Sequence, residues 1–281
     1  MVRTTQEEIN HYIIWRDVML PRISQVKCVD AEYMLFSVND GISISLFTEG
    51  KWDEHILSIS KLFYSEIDAP LILDIGAHIG TYSIPVAKDI QNSGGKVIAF
   101  EPQRIVYYQL CGNIILNRLD NCFALNQAVG NYNGEISIPE IDYNINNNVG
   151  AFSLHKEYRE RHDIERSMLD KKNNVTMTKL DSLQLEKAPS LIKIDVEGLE
   201  LNVLKGAVNT LENNNFPPIL FEAWRWDWFD KEREELLKYV KYLGYNVDLI
   251  FREDYIAQHP NNSVEVKFIN QNGVIHFQRA R

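Results

Sequence analysis

The stretch Leu71-Ile72-Leu73-Asp74-Ile75-Gly76-Ala77-His78-Ile79-Gly80-Thr81 constrains this chain more than any other. Its opening apolar run has the length of a buried strand. An acid closes the run, a turn with two glycines follows, and after Thr81 the apolar residues take helical spacing. Strand, glycine turn and helix in succession build the first unit of a doubly wound α/β sheet. The glycines let the main chain approach a ligand, and the helix N-terminal amides face it. The alternative is a buried strand followed by a turn with no function.

Two details of the turn bear on the ligand. A dinucleotide loop reads G-x-G-x-x-G. Here the spacing is Asp-x-Gly-x-x-x-Gly, with His78 in place of the middle glycine. A pyrophosphate fits such a turn badly, and Asp74 at the strand end favours a cationic group. S-adenosylmethionine carries an ammonium and a sulfonium and no phosphate. The next strand, Lys96 to Phe100, ends at Glu101-Pro102. An acid at the end of a second strand reaches ribose hydroxyls, and a carboxylate accepts from both at once. A surface Glu after a strand is the competing reading. The predicted cofactor contacts are Asp74, Gly76, Ala77, His78, Gly80 and Thr81 in the turn, with Glu101 and Pro102 beyond it.

The fourth strand runs from Leu191 into Asp195-Val196-Glu197-Gly198-Leu199-Glu200. Alternation places Lys193, Asp195 and Glu197 on one face and Ile192, Ile194 and Val196 on the other. Its carboxyl end belongs at the crevice where open α/β sheets bind ligands, so Asp195 projects toward the reacting centre. A salt bridge to Lys193 or a helix cap would equally use these acids.

Taken together, DIGAHIGTY, VIAFEP, TKLDSL, IKIDVEGLELNVLKGA and PILFE, in this order, resemble the FkbM family of S-adenosylmethionine-dependent O-methyltransferases. The resemblance covers roughly residues 43–222; His78 stands where many members carry Asn. It implies a class I methyltransferase fold, Rossmann-like, with a doubly wound, mostly parallel seven-stranded sheet. Residues 1–65 are expected to add a helix, a hairpin and a second helix to a methyltransferase domain of 66–281. The resemblance also puts Glu54 beside the cofactor, either on the methionyl ammonium or merely favouring a helix dipole. In this architecture Gln127 and Ala128, at the end of strand three, wall the adenine, and Asp195 also borders the cofactor. Asp195 is the first choice for base or orienting group, with Glu197 and Glu222 behind it. A divalent ion shared by Asp195 and Glu222 is conceivable, since hard cations take oxygen ligands, but a metal-free site is preferred. Lys193, Trp224 and Trp226 are the predicted acceptor contacts, the indoles offering faces to a sugar; core packing of all the tryptophans is the rival reading. The implied acceptor is a small molecule or glycan. A natural-product acceptor, a nicotinamide oxidoreductase and a non-catalytic cofactor-binding protein are the alternatives.

Composition agrees. A length of 281 residues fits one large α/β domain with additions, and 45% hydrophobic content supplies a core. A net charge of −10 argues against a nucleic-acid partner. Cys28, Cys111 and Cys122 lack metal-type spacing and suggest a reducing compartment. No apolar run approaches the ~20 residues of a membrane span, and the first residues are too polar for a signal peptide. The expected location is cytoplasmic; a leading helix at residues 5–20 is expected to cover the sheet edge, with pairing into a homodimer as the alternative.

The remaining expectations concern elements. Asp40-Gly41 predicts a hairpin within residues 33–48, and residues 54–62 a helix. Cys122 to Val129 reads as one strand, and 130–153 as an irregular loop. Residues 155–172, dense in mixed charge, read as a solvated segment or a lid over the acceptor. Residues 230–243 read as a helix and Tyr245 to Phe251 as strand six. Either Tyr255-Ile256-Ala257 or a segment of 264–277 provides the seventh strand.

Overall fold

A computed structural model describes residues 20–36, 40–143, 152–271 and 274–280. The predicted leading helix lies outside the described residues apart from Leu20, and so does the Asn-rich run 144–151.

The chain opens with an antiparallel pair, β1 (Ile23–Lys27) and β2 (Glu32–Phe36). Two helices follow, α1 (Gly41–Thr48) and α2 (Glu54–Tyr64). The hairpin expected around Asp40-Gly41 is therefore a helix start. The Asp40 carboxylate accepts from the Ser43 amide at 2.9 Å. An Asx residue suits an N-cap as well as a turn, and capping wins here.

The alternating core is then β3 (Leu71–Ile75), α3 (Ser83–Ile90), β4 (Lys96–Phe100), α4 (Arg104–Leu116) and β5 (Cys122–Leu125). Every residue of β3 is buried. The hairpin leans on α4, whose Asn113 and Asn117 side chains accept from the Met34 and Glu32 amides at 2.6 and 2.9 Å. Such side-chain caps satisfy a strand edge that would otherwise be open.

The predicted third strand breaks at Asn126. Its side-chain amide donates to the carbonyls of Glu101 and Pro102 at 2.9 and 3.0 Å. The continuation, β6 (Gln127–Val129), leaves the main sheet and joins β7 (Gly134–Ile141) and β8 (Met168–Thr178) in a three-stranded sheet of order β6-β8-β7. The irregular loop expected over 130–153 thus contains strand β7. The charged segment 155–172 contains helix α5 (Lys156–Arg161) and the start of β8. Polar alternation on a strand with one solvated face hides it from a hydrophobicity reading.

The second half supplies β9 (Leu191–Ile194), α6 (Glu200–Lys205), α7 (Val208–Asn213), β10 (Ile219–Glu222), α8 (Asp230–Tyr242), β11 (Asn246–Phe251) and β12 (Asp254–Gln258), then the hairpin β13 (Val266–Gln271) and β14 (Val274–Arg279). The main sheet has seven strands in the order β11-β12-β10-β9-β3-β4-β5. All run parallel except β12, which is antiparallel to both neighbours. Strand order reverses between β3 and β9, which opens the ligand crevice at their carboxyl ends.

Candidate active site

A cavity of about 490 Å³ sits at that reversal. Its walls come from the β3 turn, the ends of β4, β6, β9 and β10, the β11–β12 turn and the start of α2. Four non-glycine residues on its lining have left-handed backbones: Asp53 (φ 47°), His78 (φ 50°), Glu197 (φ 56°) and Arg252 (φ 47°). Such conformations cost ~1–3 kcal/mol each and concentrate where function holds them.

The β3 turn is pressed onto β9. Gly76 has φ 85°, and a Cβ there would lie 1.7 Å from the Asp195 carbonyl oxygen. Only glycine fits, and this fit brings Ala77, His78 and Thr81 to the cavity wall. Gly80 and Asp74 do something other than the contact expected of them; neither is on the lining. A Cβ at Gly80 would meet the Ile84 and Leu110 side chains at 2.8 Å, so Gly80 seats helix α3. Asp74 is fully buried beneath the cavity, accepting from Ser83 Oγ and lying 3.5 Å from Lys193 Nζ. Burial pushes its carboxyl up, against the pull of Lys193.

Glu101 lies at the cavity floor, 4% exposed. It accepts from the amides of His78 at 3.0 Å and Gln103 at 2.7 Å. Burial nevertheless pushes its carboxyl up to about 7, these amides opposing. The His78 imidazole also lines the cavity, and both its ring nitrogens are buried without a partner among the described residues. Burial lowers it to about 4, so it is neutral near pH 7 and offers one donor and one acceptor. Pro102, Gln127 and Ala128 complete this side.

Across β9 the wall turns acidic. Asp195 Oδ2 accepts from Lys193 Nζ at 3.2 Å. Lys193 lines the cavity, but it is held by Asp195 and Asp74 rather than left free for an acceptor. Burial alone would lower its ammonium; these two carboxylates outweigh burial and raise it. Glu197 and Glu222 also line the cavity, and burial, reinforced by Asp195 and by neighbouring glutamates, pushes both carboxyls well up. Glu200 serves the turn itself: 1% exposed, it accepts from the amides of Val196 and Gly198 at 3.0 and 3.2 Å.

Three other predicted contacts lie elsewhere. Glu54 points outward to Lys51 at 2.6 Å, and its neighbours Asp53 and His55 line the cavity instead. Trp224 and Trp226 are off the lining. Trp224 is 2% exposed, stacks on Tyr158 of α5 at 4.6 Å, and donates its indole N–H to Glu222 at 2.9 Å. Trp226 is covered by Trp224, Tyr158 and His162. The aromatic lining comes instead from Trp52, Tyr82, Phe100, Phe152 and Phe251. The spacing of the sequence carried no sign of His55, Asp53 or Asp254 at this site, because their partners lie far along the chain.

The chemistry of the donor set fits S-adenosylmethionine. A floor carboxylate suits a ribose diol, an unpartnered neutral imidazole suits a polar ligand edge, and the acids across β9 suit cationic groups. Among the described residues, no group of three or more His, Cys, Asp or Glu side chains is placed to hold a metal ion. No helix among them is long and apolar enough to cross a membrane.

A seven-stranded sheet with one reversed strand, a glycine turn after its first strand and an acid after its second defines a class I S-adenosylmethionine-dependent methyltransferase. Residues 74–247 match the methyltransferase FkbM domain, and the chain belongs to that family. Among curated proteins it is similar to methyltransferase sdnD of Sordaria araneosa, 30% identical over 158 residues, which cover 49% of this chain and 60% of that protein. Among solved structures, the methyltransferase FkbM of Methylobacillus flagellatus KT is 18% identical, with a TM-score of 0.44, over 71% of this chain and 47% of that one. An S-adenosylmethionine-dependent O-methyltransferase of Thermotoga maritima is 11% identical, with a TM-score of 0.44, over 91% and 71%. The chain thus spans 60% of the curated relative and about half of the first of these structures. At these scores the superpositions are partial, and the fold class rests on the strand order.

Proposed function

We propose that this chain transfers a methyl group from S-adenosylmethionine to a hydroxyl of a sugar, glycan or glycosylated metabolite. The observation that carries the reading is the far wall of the cavity, where Asp53, Glu197, Glu222, Glu253 and Asp254 gather. Carboxyl oxygens accept hydrogen bonds whether or not the group keeps its proton. Such a wall suits a ligand rich in hydroxyl donors. Trp52 and Phe251 offer it apolar faces.

When bound, S-adenosylmethionine supplies a methyl group made electrophilic by its sulfonium. The chain supplies position and charge. Glu101 accepts from the ribose hydroxyls, the Gly76–Thr81 turn gives the methionyl end its amides, and Gln127 and Ala128 border the adenine. Asp195, fixed by Lys193, orients the acceptor hydroxyl, and alignment of this kind removes much of the entropic barrier. Glu197 and Glu222 hold acceptor hydroxyls or retain their own protons. Water leaves as the two ligands fill the space between β9 and α2.

The test is a screen of mono- and oligosaccharides, glycosides and aglycones with methyl-labelled cofactor, the product located by mass spectrometry and NMR. Label on a hydroxyl oxygen of a sugar-bearing compound is the expected result. Label on nitrogen or carbon, or turnover confined to aglycones, contradicts it.

A further inference from the structure

We infer that His55 is the general base that takes the acceptor's hydroxyl proton and that Asp254 is its positioning residue, an inference that rests on the O-methyl transfer proposed above. The two side chains lie 199 residues apart in sequence and meet with His55 Nε2 and Asp254 Oδ2 2.8 Å apart. Both line the cavity, and their side chains are 29% and 28% exposed. A carboxylate at this distance accepts, so Nε2 carries the proton and Nδ1 keeps its lone pair. Nδ1 has no protein partner among the described residues. The Phe251 ring meets the imidazole edge-on at 5.2 Å and limits its rotation. Carboxylate, imidazole and an open ring nitrogen form the orienting half of a base dyad.

The dyad stands on the acceptor side. β10 and β12 lie one and two strands beyond β9, at about 4.8 Å per strand. Gly76 and Glu101 follow β3 and β4, on the opposite side of β9. Asp254 is the register partner of Glu222 across the β10–β12 pair, and His55 closes the space from the first turn of α2. Asp195 is less free for the role, because Lys193 already engages its Oδ2.

The charged groups facing His55 are Asp254 at the start of β12, Arg252 from the β11–β12 turn and Asp53 from its own helix start; Glu54 is turned away to Lys51. The Asp254 hydrogen bond raises the imidazole above its usual range, against the opposing pulls of burial and Arg252. In the transfer, a lone pair of the hydroxyl oxygen forms the O–CH3 bond and the O–H proton passes to His55 Nδ1. The S–CH3 bond breaks with its electron pair left on sulfur. Asp254 stabilises the imidazolium that results. A positioned base of this kind contributes ~10²–10⁴-fold.

The experiment has three arms. Calorimetry with S-adenosylhomocysteine comes first, because failure of the wild type to bind would sink the functional reading and not this inference alone. With the acceptor found by the screen, H55Q is expected to lower kcat ~10²-fold or more while its cofactor Kd and Tm stay as in the wild type. D254N keeps the imidazole but loses its charged partner, so kcat falls and the acid limb of the kcat profile moves to lower pH. Histidine-labelled NMR of the wild-type S-adenosylhomocysteine complex is expected to show the Nε2–H tautomer at His55. Wild-type turnover in a folded H55Q, an acid limb unmoved in D254N, or a proton resident on Nδ1 would each overturn the assignment.

Discussion

At the residue scale, buried carboxylates define this site. Glu101 and Glu200 are each pushed up to about 7, and Glu197 and Glu222 are pushed well up from the ordinary glutamate value, with burial the largest cause in every case. A carboxyl whose folded value lies above its unfolded value of about 4.3 binds its proton more tightly when folded. Its favourable contribution is complete below the unfolded value and is lost as pH rises through the folded one. His78 acts oppositely and only on the acid side, since its lowered value makes stability fall below about pH 6.5. Between roughly pH 6.5 and 8 the carboxyls therefore decide the sign, and the ligand-free protein should lose Tm as pH rises. Glu222→Gln removes one titrating acid, while its side-chain oxygen can still accept from Trp224. At about pH 8 it should melt above the wild type, by ~2–4 °C for each kcal/mol relieved. Differential scanning calorimetry across this range checks it; a lower Tm for the variant at pH 8 would show that Glu222 is already compensated.

At the scale of elements, helix α5 acts as a clamp. Tyr158 is 4% exposed and stacks between His162 and Trp224, at 4.2 and 4.6 Å. Trp224 in turn holds Glu222, and its ring fills the space that a Cβ at Gly198 would need, 2.7 Å away. Tyr158→Ala should therefore cost about 3 kcal/mol or more of stability and leave cofactor affinity intact, because none of these stacked rings lines the cavity. Urea unfolding and calorimetry on the same variant separate the two; unchanged stability with a weakened cofactor would mean that the stack belongs to the pocket. The strand-ending acids Glu101, Asp195, Glu197 and Glu222 were legible in the sequence because an apolar run closed by an acid announces where a side chain emerges. Helix α1 was not, since Asp-Gly serves a turn and a cap alike. Strands β7 and β8 were hidden by polar alternation. The His55–Asp254 pair was illegible for a topological reason: the seventh strand turns back antiparallel, and this brings the first residue of β12 against the first turn of α2.

At the scale of the whole molecule, one sheet gathers the site from both halves of the chain. The glycine turn and Glu101 come from the first half, the acids around Asp195 from the second, and α2 closes the cavity from outside the alternating core. The cavity lining carries seven acids against the two cations Lys193 and Arg252, where a cationic cofactor and a hydroxyl-rich acceptor would meet. This cavity is expected to hold S-adenosylmethionine with the Glu101 carboxylate on its ribose. Isothermal titration calorimetry of the cofactor against the wild type and Glu101→Gln, repeated between about pH 6 and 8, tests it most directly. Wild-type binding should weaken as Glu101 takes up a proton below about pH 7, by up to ~10-fold per pH unit. The variant should lose roughly 10- to 150-fold at pH 8, with the pH dependence flattened. Equal affinities in the two proteins, or no binding by the wild type, would contradict it.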